Sequence, residues 1–204
     1  MEKLKNEITK ILVNELIHNE NRVFIEELDT YFLVTVYENE KEATLKEIKI
    51  DFPKNIKLLP LIIDNKEYYK LLKGSKNCEC AILVKEENGK YHLVLVEMKS
   101  TLHNRDLKNI INKTKYSSYL STILLKTFDI VPDEYHVIVA YLENKIPSTA
   151  SPTDLDSNIN SKFGHHIKKW NQSKWKFEWL NNSHLIVNKK DIKYKNTINW
   201  YDIQ

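Results

Sequence analysis

Glycine and cysteine are scarce: the 204 residues hold three glycines and two cysteines. The cysteines, Cys78 and Cys80, stand one residue apart with no second pair, which excludes a zinc knuckle and a disulfide framework. A disulfide across one residue would be strained. Both thiols are therefore expected as small buried core groups, pointing away from the face used by Glu79 between them. No apolar run approaches the length of a membrane span, so no membrane partner is expected. The opening residues, Met1-Glu2-Lys3-Leu4-Lys5-Asn6-Glu7, contain no apolar secretory segment, and the expected location is cytoplasmic. Repeats and inter-domain linkers are also lacking, so residues 1–204 read as a single domain able to bury a real core.

Charge excludes less. A formal net charge of +3 does not by itself imply a nucleic-acid partner. Its distribution is more informative: residues 1–100 balance at −2 and the remainder at +5. A phosphate backbone would meet the downstream half.

Two apolar runs separated by Asn88-Gly89 form the densest signal in the chain. Ala81-Ile82-Leu83-Val84 leads into Lys85-Glu86-Glu87-Asn88-Gly89-Lys90, and Tyr91-His92-Leu93-Val94-Leu95-Val96 leads into Glu97-Met98-Lys99. Both runs have strand length, and the dipeptide between them marks a turn. A two-residue turn would set Glu79 opposite Met98, on the wrong face. A three-residue loop, Glu87-Asn88-Gly89, pairs Glu86 with Lys90 and sets Glu79 opposite Glu97. That loop needs a left-handed residue at its end, and Gly89 stands there. The three-residue loop is therefore expected. It brings the two carboxylates to about 4.5–5.5 Å at Cβ, with Lys99 on the same face as Glu97. Like charges at that spacing call for a cation, and hard oxygen ligands suit Mg²⁺ or Mn²⁺. The plainer alternative is a hairpin with a wet, charged face. Against it, the flanking runs look buried on both faces, as in a sheet covered by helices. A Glu-x-Lys there is expensive unless it is used.

This arrangement resembles the PD-(D/E)xK nuclease superfamily: an acidic residue opens one core strand and (Asp/Glu)-x-Lys closes the next. Glu97-Met98-Lys99 matches the second part. Asn77-Cys78-Glu79 matches a Cys-acid variant of the first, with Glu where Asp is usual. The likeness covers about residues 75–142 and extends to the first helix. It implies an α/β fold with a mixed central sheet flanked by helices, a restriction-endonuclease-like core. It also implies a Mg²⁺-dependent endonuclease in which Glu79, Glu97 and the Met98 carbonyl hold the metal and Lys99 orients or deprotonates water. DNA is favoured over RNA as substrate. Restriction, antiviral defence or repair would be the setting. Two alternatives stand beside it. One is a catalytically degenerate module that binds nucleic acid or assembles with protein. The other is a nuclease that acts only when a partner or second messenger assembles it, with a homodimer or an activating protein as the candidate partners.

Elsewhere, residues 3–19 read as an amphipathic helix. The resemblance implies that this helix adds a carboxylate to the metal site, for which Glu15 is the candidate; the alternative is a solvated helix residue. Residues 31–37 and 45–51 read as strands, and 57–63 as a strand or buried connection. Asp64 rivals Glu79 as the first acid. A helix is expected over 104–128. Its small residues Thr114, Ser117, Ser118 and Ser121 permit close approach to a sheet, while Lys113 and Lys115 are candidates to face phosphates. Residues 135–142 read as the next core strand, and 184–203 as two short strands. The basic, aromatic segment from 165 offers Lys168, Lys169, Trp170, Lys174 and Lys176 for nucleic acid. The alternative is that its tryptophans pack in the core. His165-His166 point apart and lack a third ligand.

Overall fold

Period-two alternation builds the first layer. The computed structural model describes residues 22–38, 41–61, 63, 77–147, 167–172, 175–178, 184–193, 195 and 197–203. Strands β1 (Val23–Glu27), β2 (Tyr31–Tyr37) and β3 (Glu47–Pro53) form an antiparallel meander. In β3, Ile48, Ile50 and Phe52 are buried and the residues between them are not, so this sheet has one apolar face.

The second sheet contains the runs that are apolar on both faces. Its strands are β4 (Ile56–Leu61), β5 (Cys80–Glu86), β6 (Tyr91–Leu102), β7 (Glu134–Asn144), β8 (Trp175–Glu178) and β9 (His184–Asp191), in the spatial order β4-β5-β6-β7-β9-β8. β5 runs antiparallel to both of its neighbours, β4 and β6; β6, β7 and β9 run parallel, and β8 returns antiparallel. A parallel neighbour requires a crossover, and α1 (Asn104–Lys126) supplies it between β6 and β7. Strand β10 (Thr197–Asn199) joins the first sheet parallel to β3. The fold is thus mixed α/β, with two mixed sheets and mostly strand among the described residues.

The structure corrects one expectation: among the described residues, helix covers one face of the central sheet and not both. α1 covers one face, where Leu107, Ile110 and Leu125 meet Leu93, Leu95 and Val137. The four-stranded sheet covers the other, where Ile48, Ile50, Phe52 and Trp200 meet Val94, Val96 and Met98. Apolar content on both faces of β6 requires two covers but does not say of what kind. Ser100 ties the layers together, its Oγ accepting from the backbone N–H groups of Thr44 and Leu45 at 2.8 and 3.0 Å.

The small residues of α1 do what close packing needs. Thr114, Ser117, Ser118 and Ser121 are buried, and Ser117 Oγ accepts the Cys78 N–H at 2.8 Å. No helix among the described residues is long and apolar enough to cross a membrane.

The aromatic part of the C-terminal segment is also corrected. Trp170 is 1 % exposed and Trp175 is 3 % exposed, so neither presents a face for a base. Their rings meet edge-on at 6.0 Å, and Trp170 packs against Tyr141 at 6.2 Å. Replacing Trp170 with alanine should therefore cost about 3–5 kcal/mol in denaturant unfolding. The salt dependence of any nucleic-acid affinity should not change. A stable Trp170→Ala protein with weakened single-strand binding would contradict the core assignment.

Candidate active site

The hairpin turn decides which carboxylates meet. Gly89 has φ of 87°, and its N–H donates to the Glu86 carbonyl at 3.0 Å. Glu86 N–H donates to the Lys90 carbonyl at 2.9 Å, closing the three-residue loop. The Lys90 N–H is held by Asn88 Oδ1 at 2.8 Å. From there the ladder runs from Lys85 opposite Tyr91 to Cys80 opposite Val96, the register expected from the glycine, and ends one position short of Glu79 and Glu97.

The chain bends at Glu79, whose N–H donates to the Val96 carbonyl at 2.9 Å. Glu79 and Cys80 thus share one partner residue, as in a bulge. The bend changes the expected placing of the cysteines. Cys80 packs toward the first sheet, but Cys78 lies in the core beneath α1. Both thiols are free and buried, and burial pushes each thiol's pKa up.

Four charged groups converge at this end of β5 and β6. Lys113 Nζ, reaching in from α1, lies 2.8 and 2.9 Å from the two oxygens of Glu97 and 3.4 Å from Glu79 Oε1. Lys99 Nζ lies 3.1 Å from Glu97 Oε1. Glu79 Oε2 accepts the Met98 backbone N–H at 2.9 Å. Glu97 is fully buried and Glu79 nearly so, while the Lys99 side chain is one-quarter exposed. Burial, and then the Glu97 charge, push the Glu79 carboxyl up to about 8; Lys113 and Lys99 pull the other way. Burial works against both ammonium groups, yet the carboxylates outweigh it and the pKa of each is raised.

The sequence placed Glu79, Glu97 and Lys99 here, and the structure brings all three together. Lys113, expected as a candidate to face phosphates, forms ion pairs with both carboxylates. Helical spacing gives the side of α1 that meets the sheet, but not how far a lysine stem reaches over the sheet's edge. Met98 contributes its backbone N–H, and its side chain is buried toward the first sheet. Lys115, Lys168 and Lys176 are exposed, and Lys169 is half-buried. Glu15, Asp64, Lys174 and the pair His165-His166 lie outside the described residues.

The donor set suits a hard divalent ion. Three carboxylate oxygens already surround one cationic nitrogen, and buried like charges need such a counter-charge. A second cluster leaves no mark in the sequence: His92, Glu134 and His136. Its members lie on two different strands, and only the parallel register of β6 with β7, which aligns His92 with Glu134, brings them together. No family model, curated protein or solved structure matches this chain.

The shifted groups predict a pH window. Glu79 holds its proton in the folded state up to about 8, against 4.5 ordinarily. Its stability contribution is therefore complete below 4.5 and is lost as pH rises toward 8. His136 slopes the other way. Burial, then the His92 charge, lower it from 6.5 to about 4, so its contribution is complete above 6.5 and lost on acidification. Between pH 6.5 and 8 only the Glu79 slope remains of these two. With chelator present, the Tm should fall across that window and Glu79→Gln should flatten the fall. Equal slopes in both proteins would refute the assignment.

Proposed function

We propose that the protein is a Mg²⁺- or Mn²⁺-dependent nuclease that hydrolyses DNA phosphodiesters, on a core like that of the restriction endonucleases. The observation that carries this reading is the convergence of Glu79, Glu97 and Lys99 at one edge of a rigid sheet. Glu79 and Glu97 would hold the metal, with the Met98 carbonyl and Glu15 as further candidate ligands. When bound, the metal supplies Lewis-acid polarisation and a more acidic water.

The protein's own groups supply the rest. Lys99 is the partly exposed member and is placed to meet an incoming phosphate. Its raised pKa keeps it an ammonium near neutral pH. It therefore donates to the attacking water and to charge developing on phosphorus, rather than removing a proton. The Met98 N–H fixes the Glu79 carboxylate, so one acid is oriented by backbone and the other by lysines. Lys99 and Tyr141 are cross-strand partners, and Trp170 packs on Tyr141. Residues 167–170 thus lie at the same end of the sheet as Lys99, with Lys168 exposed for a phosphate backbone.

One observation favours a second reading, a degenerate module. Lys113 already bridges Glu79 and Glu97 without a metal. Mn²⁺ calorimetry and plasmid cleavage separate the two. On the nuclease reading the wild-type protein binds Mn²⁺ and cleaves, Lys99→Ala binds without cleaving, and Glu97→Ala does neither. On the degenerate reading the wild-type protein does not cleave, and Mn²⁺ binding appears only in Lys113→Ala. Full activity in Lys99→Ala would remove that residue from the mechanism.

The basic segment has its own measurement. Replacing Lys168 and Lys169 with alanine should weaken DNA binding alike for all sequences. The slope of log affinity against log salt should become shallower by about one for each phosphate no longer neutralised. An unchanged slope would place the DNA path elsewhere.

A further inference from the structure

We propose that His92, His136 and Glu134 form a second metal site, of the zinc type, at the opposite end of β6 and β7 and on the opposite face from Glu97. Glu97 lies five positions beyond His92 along β6, or about 17 Å at the ordinary strand rise. The two sites are therefore distinct.

Three distances define the cluster. His92 Nδ1 lies 3.2 Å from His136 Nε2. His136 Nε2 lies 3.2 Å from Glu134 Oε2. Glu134 Oε2 lies 3.4 Å from His92 Nδ1. Three ligand atoms form a nearly equilateral triangle. A tetrahedral zinc site with bonds of about 2.0–2.1 Å has edges of about 3.3–3.4 Å, so the triangle matches one face of that tetrahedron. A fourth position stays open.

Hydrogen bonding does not account for all three edges. If both ring nitrogens carry protons aimed at the carboxylate, the nitrogen–nitrogen edge sets two donors against each other. If only one does, a lone pair faces the carboxylate oxygen. One edge is unfavourable in either arrangement. A cation capping the triangle attracts all three atoms. Both histidines are buried, at 2 % and 0 % exposure.

The surroundings hold the three groups in place. Lys90 Nζ grips Glu134 Oε1 and leaves Oε2 toward the rings. Glu86 Oε1 lies 3.3 Å from His92 Nε2, though off the line of a good hydrogen bond. A carboxylate behind a ligating imidazole is a common way to fix its tautomer. Trp200 meets both rings edge-on, at 5.3 and 5.9 Å. The cluster is not sealed, because the Glu134 side chain is 36 % exposed. Its neighbours Glu86 and Trp200, but none of the three ligands, line an open pocket of about 260 Å³. Two imidazoles and one carboxylate suit Zn²⁺, whereas the all-oxygen set at Glu79 and Glu97 suits Mg²⁺.

The test is metal binding by the full chain with Mg²⁺ in excess, so that the carboxylate site does not report and no cleavage is read. ZnCl₂ should bind at one equivalent by equilibrium dialysis and raise the Tm reversibly with chelator. Co²⁺ in its place should give the intense visible bands of a four-coordinate ion. Glu134→Gln, at a partly exposed position, should stay folded by circular dichroism and lose the bound equivalent. Glu86→Gln should weaken binding about 10–100-fold by releasing His92. Absence of a stoichiometric zinc ion in the wild-type protein, or undiminished binding in folded Glu134→Gln, would overturn the proposal.

Discussion

Glu97 is sealed inside the protein, and a sealed carboxylate must have a counter-charge. Much of the local architecture follows from that requirement. Lys113 must reach in from α1, so the helix has to lie close to the sheet. Serines rather than leucines at positions 117, 118 and 121 permit that approach. Lys99 must share the same carboxylate, which fixes the end of β6. Glu79 must be oriented so that its own charge does not add to the burden, and the Met98 N–H does this. With Glu79 holding its proton near neutral pH, the Glu97 carboxylate is shared by two ammonium groups, Lys99 and Lys113. Removal of Lys113, the more buried of the two, would leave Glu97 with Lys99 alone.

The two long parallel strands have a division of labour. Odd-numbered positions on β6 face α1 and carry Leu93, Leu95, Glu97 and Lys99. The even-numbered positions face the first sheet and carry His92, Val94, Val96 and Met98. Polar groups stand toward the two ends, one set per face, and the middle is apolar on both. This keeps each ionisable cluster near solvent while the strand between remains a rigid spacer.

Much of this is legible in the residues alone. Gly89 sets the loop length, loop length sets the register, and the register brings Glu79 to the end of β6 that carries Glu97. The strand at 31–37 and the helix over most of 104–128 are readable because their periodicities are long and clean. Other features depend on packing between segments distant in sequence. Nothing in Tyr31–Tyr37 says which surface its apolar face will cover, so a second sheet stands where a helical layer is expected. Strand β1 gives little signal, since Phe24 and its neighbours are largely exposed and alternate weakly. The tryptophans beside lysines suit bases and a core equally well, and burial alone decides it. The His92–His136 cluster is hidden because its members lie 44 residues apart in sequence and meet only through a parallel pairing.

The tight seating of α1 also bears on rates. A helix packed through Thr114, Ser117, Ser118 and Ser121, with Ser117 bonded to the Cys78 backbone, cannot lift away without opening the core. Any movement of the Lys113 ammonium away from Glu97 must then proceed by rotation about the lysine's own side-chain bonds. Collective motions of packed elements take microseconds to milliseconds, and such a rotation needs none of them. The counter-charge of Glu97 is therefore carried by one four-carbon stem on a fixed helix, and its kinetics should be those of a side chain rather than of a moving domain.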